Sequence, residues 1–189
     1  MKIKDLEIRN LNEVTFDGEN VVEGYAVKFG TPSEDMGFIE TIEKGAFDNV
    51  DLSDVRLFLE HDEQKLLARS KSNTLQLNVD DVGLHFRALL PNTTLGNDTM
   101  EMIRRGDLSN CSFGFTVGDA SWSKQNGVHL RSINKIKRMF EISLVSIPAY
   151  SDTDVAVAKR SLEDARIAFE KEQLEAELEL LELQILELV

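Results

Sequence analysis

The sequence predicts a mainly β chain of the α+β kind: a β-barrel or sandwich-like core, a few flanking helices and a long acidic C-terminal helix. Three observations carry this. Six stretches before position 150 read as strands, alternating apolar with polar or running continuously apolar over five to nine residues. Helix signals in that part are few. After position 150 glycine and proline vanish and strong helix formers take over. Many short strands at such spacing argue for a barrel or sandwich core. The change of character places a β-barrel domain at 1–150 and a helical tail at 151–189.

Each element has its own signal. The strand segments are VVEGYAVKF (21–29), VRLFLE (55–60), LQLNV (75–79), LHFRALL (84–90), FGFTV (113–117) and MFEISLVSI (139–147). DDVG (80–83) separates two of them and reads as a hairpin turn. NDTMEMIRRG (97–106) reads as a helix, with Asn97 as N-cap, two arginines in its last turn and Gly106 as its stop. KGAFDNV (44–50) is a shorter helix candidate. Pro148 ends the last strand, because proline has no N–H to give a ladder.

In the tail, Leu174, Leu178, Leu181, Ile185 and Leu188 step by 4, 3, 4 and 3, the a/d seam of a heptad repeat; Ile167 fits one heptad before Leu174, with Lys171 interrupting between them. Two readings stand: a helix packed on its own barrel, and a helix that pairs with another chain. Leu180 and Leu183 widen the apolar stripe and a ring of glutamates flanks it, which favours the second. Those glutamates would repel an identical helix, so a basic partner suits it better.

Composition narrows the function. The 189 residues carry a formal charge of −13. Residues 161–189 hold nine acids against two bases, about half of that charge. So acidic a chain is a poor binder of a phosphate backbone, and no nucleic-acid partner is expected. No apolar run reaches the ~18 residues of a membrane span, and the lysines of MKIKDLEIRN precede no apolar stretch of the signal-peptide kind. Cys111 is the one cysteine, which excludes an internal disulfide and fits a reducing compartment. His61, His85 and His129 are too widely spaced for a structural zinc site, and no glycine-rich phosphate loop precedes a helix. No metal or cofactor is expected.

Nucleophilic catalysis remains. His61 leaves an apolar strand between Glu60 and Asp62, where a base is held firmly with its tip accessible. Ser112 lies near the start of the run SNCSFGFTVG (109–118), and Cys111 is its rival. Neighbours on a strand face opposite ways, so only one of the two faces a site, and Cys111 is the buried, inert one. Taken singly, His61 reads more simply as a half-exposed histidine and Ser112 as a strand-end hydroxyl. NCSFG has Asn110 where a nucleophile elbow needs glycine, and Ser112 enters a strand rather than a helix, which excludes the α/β-hydrolase arrangement.

VVEGYAVKFG, GFIETIEKGAF, LFLEHDEQKLLARS, DDVGLHFRALLP, MIRRGDLSNCSFGF and MFEISLVSIPAY occur in one order along residues 5–155. Together they resemble the prohead (capsid maturation) serine proteases of tailed bacteriophages, a family similar in fold and chain order to the herpesvirus assemblins. The resemblance implies a closed barrel with Ser112 as nucleophile and His61 as base. In this lineage the third member follows the serine near the last long strand. Glu141 fits that place, on the face of its strand opposite Phe140, Ile142 and Leu144. Asp62 is the runner-up, and His85 and His129 trail. Gly114 and the PAY loop (148–150) are candidates for the oxyanion site. Ala68 stands where the family pattern suggests glycine. The implied activity is a serine endopeptidase that processes the major capsid protein, its scaffold segment and itself. It would act as a homo-oligomer inside the procapsid, within the bacterial host cytoplasm. The alternative is a non-catalytic assembly protein that keeps the barrel and works through its tail.

Overall fold

A computed structural model of the chain describes residues 6–12, 14–16, 20–146 and 152–186. The strands are β1 (Glu7–Asn12), β2 (Val14–Phe16), β3 (Val21–Lys28), β4 (Ile39–Ile42), β5 (Arg56–Leu59), β6 (Asp62–Arg69), β7 (Leu75–Val79), β8 (Gly83–Leu89), β9 (Asn110–Gln125) and β10 (Val128–Val145). Helix α1 covers Thr94–Arg105 and α2 covers Asp152–Leu186.

β10 is the spine. One edge pairs antiparallel with β9; the other pairs parallel with β4 over 130–133 and with β5 over 141–144. The sheet runs β1-β9-β10-β5-β6 with β4 branching from β10, and a second sheet runs β2-β3-β8-β7. Among the described residues no ladder joins the two, so the closed barrel is corrected to a half-barrel facing a second sheet. It stays open because one edge of β10 is shared between two short parallel partners, β4 and β5. The β9–β10 register shifts repeatedly between Ile133 and Glu141, which bends the spine where it changes partner from β4 to β5.

All six predicted strand segments are strands, but two fall far short. β9 and β10 continue past Val117 and begin well before Met139, as a long hairpin closed by Asn126 and Gly127 at φ 49° and 84°. Both values suit a two-residue type I′ turn, for which Asn-Gly is the preferred pair. The DDVG turn forms as expected, with the Asp80 carboxylate accepting from the N–H groups of Val82 and Gly83. Gly83 has no room for a side chain: a Cβ there would lie 1.8 Å from the Val27 carbonyl oxygen.

The helix candidates need two corrections. Residues 44–50 form successive turns, not a helix, because Gly45 and Asn49 take φ of 89° and 64° and break each turn before it propagates. α1 starts earlier than predicted: Thr93, not Asn97, is its N-cap and accepts from the Gly96 N–H at 3.3 Å. Gly106 ends it at φ 81°.

The main core lies between the sheets, where Phe86, Phe115, Met139, Ile142 and Leu144 are buried and α1 contributes Met100 and Ile103. A smaller cluster joins Met36 and Phe38 to Ala158 and Leu162 of α2, with Trp122 against it. Trp122 Nε1 donates to Ser161 Oγ at 3.0 Å. α2 therefore docks by its N-terminal half, while Ile167, Leu174, Leu178, Leu180 and Leu183 are each more than half exposed. The side chains of Leu181 and Ile185, and residue Leu188, lie outside the described residues.

Beside that cluster sit four buried charges, Glu7 and Arg9 of β1, Glu40 of β4 and Arg131 of β10. Arg9 meets Glu7 at 2.7 Å and Glu40 at 2.6 Å, and Arg131 meets Glu7 at 2.6 Å and Glu40 at 2.8 Å. Burial opposes the charge on Arg131, but Glu7 and Glu40 outweigh it and hold the guanidinium above its usual pKa. Two acids and two bases leave the quartet neutral, which is what permits so many ions in the interior.

Candidate active site

The site is built where β5 turns into β6 against the end of β10. Leu59 pairs with Asp62, so Glu60 and His61 are the whole loop. Both have positive φ, 54° and 55°, which is uncommon for residues with a Cβ and costly in a turn that favours Asn-Gly. The turn is clamped to β10: Glu60 N–H donates to the Leu144 carbonyl at 2.9 Å, and Glu60 Oε1 accepts from Ser146 N–H at 2.8 Å. Strain held in this way is typical of a functional position.

The clamp brings the His61 ring back onto β10. Its Nδ1 lies 2.8 Å from Glu141 Oε1. An ionised carboxylate only accepts, so in this pair Nδ1 is the donor, and the neutral ring of that tautomer has its lone pair on Nε2. Glu141 is not a solvent-facing strand acid. It is buried, and its second oxygen, Oε2, accepts from Ser143 Oγ at 2.5 Å.

Register places the serines. Ser112 of β9 is the direct partner of Ser143 on β10, and Gly114 is the partner of Glu141. Directly opposed residues share a face, as do residues two apart on one strand. Ser112, Gly114, Glu141 and Ser143 thus line one patch, next to His61. Cys111 faces the other way, into the main core. Ser112 is fully buried, and its hydroxyl donates to the Arg9 carbonyl of the neighbouring β1 at 2.9 Å. A hydroxyl has a single proton, so in this arrangement it points to β1, and rotation about χ1 is what turns it toward another acceptor.

The other candidates lie elsewhere. Asp62 opens β6, where its carboxylate accepts from the Gln64 N–H and pairs with Lys65, and the first of these holds it below the usual carboxylate range. His85 belongs to the second sheet, edge-on to Tyr25. His129 stacks on Phe169 of α2, and desolvation lowers its pKa, with Arg166 and Lys124 adding to the effect. Residues 148–150 lie outside the described residues. Ala68 sits buried in β6 opposite Leu57, an ordinary strand position that does not call for glycine. Ser143 escaped the sequence reading, although the alternation of E-I-S already put it on the face of Glu141.

Among the described residues, no group of three or more His, Cys, Asp or Glu could hold a metal ion. Among the described residues no helix is long and apolar enough to cross a membrane.

Comparison with known proteins gives a family match. The model of the caudovirus prohead serine proteases matches residues 4–167. Among solved structures, the chain is similar to the bacteriophage T4 capsid assembly protease, gp21, at 11% identity and a TM-score of 0.45, covering 74% of this chain and 98% of that one. No curated protein sequence matches it.

Proposed function

Because the chain belongs to the caudovirus prohead serine protease family, we propose that it is a serine endopeptidase of head maturation, with Ser112 as nucleophile, His61 as general base and Glu141 as the acid that orients His61. The observation that carries this is the 2.8 Å bond between His61 Nδ1 and Glu141 Oε1, on the patch that also holds Ser112. It has the form of the base–orienter half of a triad.

The chemistry follows from these groups. Ser112 turns its hydroxyl from Arg9 to His61 and attacks the scissile carbonyl, and its proton passes to Nε2. Glu141 stabilises the imidazolium that forms. The tetrahedral intermediate collapses, the C–N bond breaks, and the proton goes from Nε2 to the leaving amine. Water, deprotonated by the same nitrogen, then attacks the acyl-enzyme; the bond from the carbonyl carbon to Ser112 Oγ breaks, Nε2 returns the proton to Oγ, and the new carboxyl terminus is released. Ser112 is fully buried, so the peptide must displace what covers the patch before its carbonyl reaches Oγ.

The substrates we assign are the major capsid protein, its scaffold segment and the chain itself, within the procapsid in the bacterial cytoplasm, by a homo-oligomer. Family membership supports this choice. The exposed apolar stripe of α2 favours an added assembly role for the 151–189 tail. Co-expression with the major capsid protein tests the proposal. Intact mass should show the capsid protein shortened by wild type and full-length with Ser112→Ala. A capsid protein processed equally by both would refute it, and assembly without processing by either would favour the non-catalytic role.

A further inference from the structure

Glu141 has two oxygens, and the base uses only one of them. The other is taken by a residue that the triad does not include. Ser143 Oγ donates to Oε2 at 2.5 Å, and Ser143 is fully buried. On the opposite side, Gly114 stands across the ladder from Glu141. A Cβ at Gly114 would come within 3.0 Å of Oε1 and 3.2 Å of Cγ of Glu141, closer than ordinary contacts allow. The neighbour it would press on is the oxygen that meets His61. The carboxylate is therefore fixed from both sides, by a hydroxyl that holds Oε2 and by an absent side chain that leaves room for Oε1.

We infer that Ser143 and Gly114 are positioning residues that set the orientation of Glu141, and through it the tautomer and aim of His61. This rests on the triad proposed above. A glutamate reaches its partner through more rotatable bonds than an aspartate does. Anchoring its second oxygen removes the freedom that would otherwise blur the His61 geometry.

The same contacts separate the two serines that face each other across the ladder. Ser143 gives its proton to a carboxylate, and an alkoxide formed there would lie against that negative charge. Ser143 is thus unsuited to attack, while Ser112, bonded to a neutral carbonyl, is free of that repulsion.

The test measures the rate at which a fluorophosphonate probe labels the full chain, followed by intact mass. Ser143→Ala removes one oxygen and should slow labelling roughly 10- to 100-fold, as expected for a misaligned base. Gly114→Ala keeps the backbone N–H and should slow it similarly. In a Glu141→Ala background, Ser143→Ala should cost nothing further, because the hydroxyl then has no carboxylate to hold. The downfield Nδ1–H proton resonance of His61 reports the same event directly. It should move or broaden in Ser143→Ala while the rest of the spectrum stays folded, which a purely structural role for Ser143 would not produce.

If wild type labels and Ser143→Ala labels at the same rate, or if its loss multiplies with that of Glu141→Ala, the triad stands and this inference falls. If folded wild type does not label at all, the triad reading fails and the inference falls with it.

Discussion

Glu141 joins a strained turn to a regular strand. Glu60 and His61 hold positive φ at a cost of about 1–3 kcal/mol each, sustained by the two bonds of Glu60 to the end of β10. What this arrangement secures is a histidine whose Nδ1 meets a buried acid. Glu141→Gln keeps the shape but no longer fixes the Nδ1–H tautomer. Peptide-bond cleavage is expected to fall by about 10²–10⁴-fold with little change in melting temperature. Retained activity in a folded Glu141→Gln protein would remove Glu141 from the mechanism. His61 and Ser112 were legible as candidates only through the motifs around them, since neither spacing nor composition ties residue 61 to residue 112. Their relation is set by ladder register, which no local pattern encodes. Ser143 was missed because a serine on a strand next to an acid looks like ordinary solvent-facing alternation.

The β5–β6 hairpin that carries His61 is fastened at its open end. Asp54 takes a two-pronged contact from Arg69, at 2.5 and 2.9 Å, and a longer one from Arg56. The Arg69 bonds outweigh partial burial, and with Arg56 and Lys71 adding to them the Asp54 carboxyl is pushed down to about 2. A carboxyl depressed on folding stabilises the folded state above its ordinary value of 3.8 and loses that contribution as pH falls through about 2. The gap in melting temperature between wild type and Asp54→Asn should therefore be constant above pH 4 and close toward pH 2. A gap that widens on acidification would contradict this. A steric prediction belongs to the second sheet. Gly83→Ala places a Cβ against the Val27 carbonyl and should destabilise by about 1–3 kcal/mol or more in chemical denaturation.

Strands with clean apolar alternation, β3, β7 and β8, were legible from sequence almost to the residue. β1 and β4 were not, because the inward positions of Glu7, Arg9 and Glu40 are charged and hide the pattern. β6 was missed because Glu63, Gln64, Lys65 and Leu66 are exposed in a row and give no period. The long β9–β10 extension was missed although Asn126-Gly127 marks its turn.

Across the whole molecule, the charge quartet ties the N-terminal strand to β4 and the spine, and α2 closes over the neighbouring apolar cluster. Removing one member leaves its partners buried and uncompensated. Glu40→Ala should therefore cost about 3–5 kcal/mol, readable as a shift in the urea midpoint. An unchanged midpoint would show that the quartet is not intact in solution. The two halves of α2 should behave differently. Leu162→Ala removes a buried contact and should cost about 2–5 kcal/mol, whereas truncation from Glu170 onward removes residues that are exposed through 180 and should leave the melting temperature unchanged. A large loss on truncation would mean that the distal helix packs in solution. The barrel was expected to close because the family resemblance implies it, while strand count and spacing fit a barrel or a sandwich alike. It stays open because β10 changes partners along one edge, a long-range choice that strand-by-strand reading does not capture.

The central claim is that Ser112 is an activated nucleophile served by His61 and Glu141. The most direct measurement is intact mass with peptide mapping after treatment with a fluorophosphonate, on wild type, Ser112→Ala and His61→Ala. The account predicts one adduct on wild type, located at Ser112, and none on either variant. An adduct on Ser143, or one on Ser112 that survives His61→Ala at the wild-type rate, would contradict it.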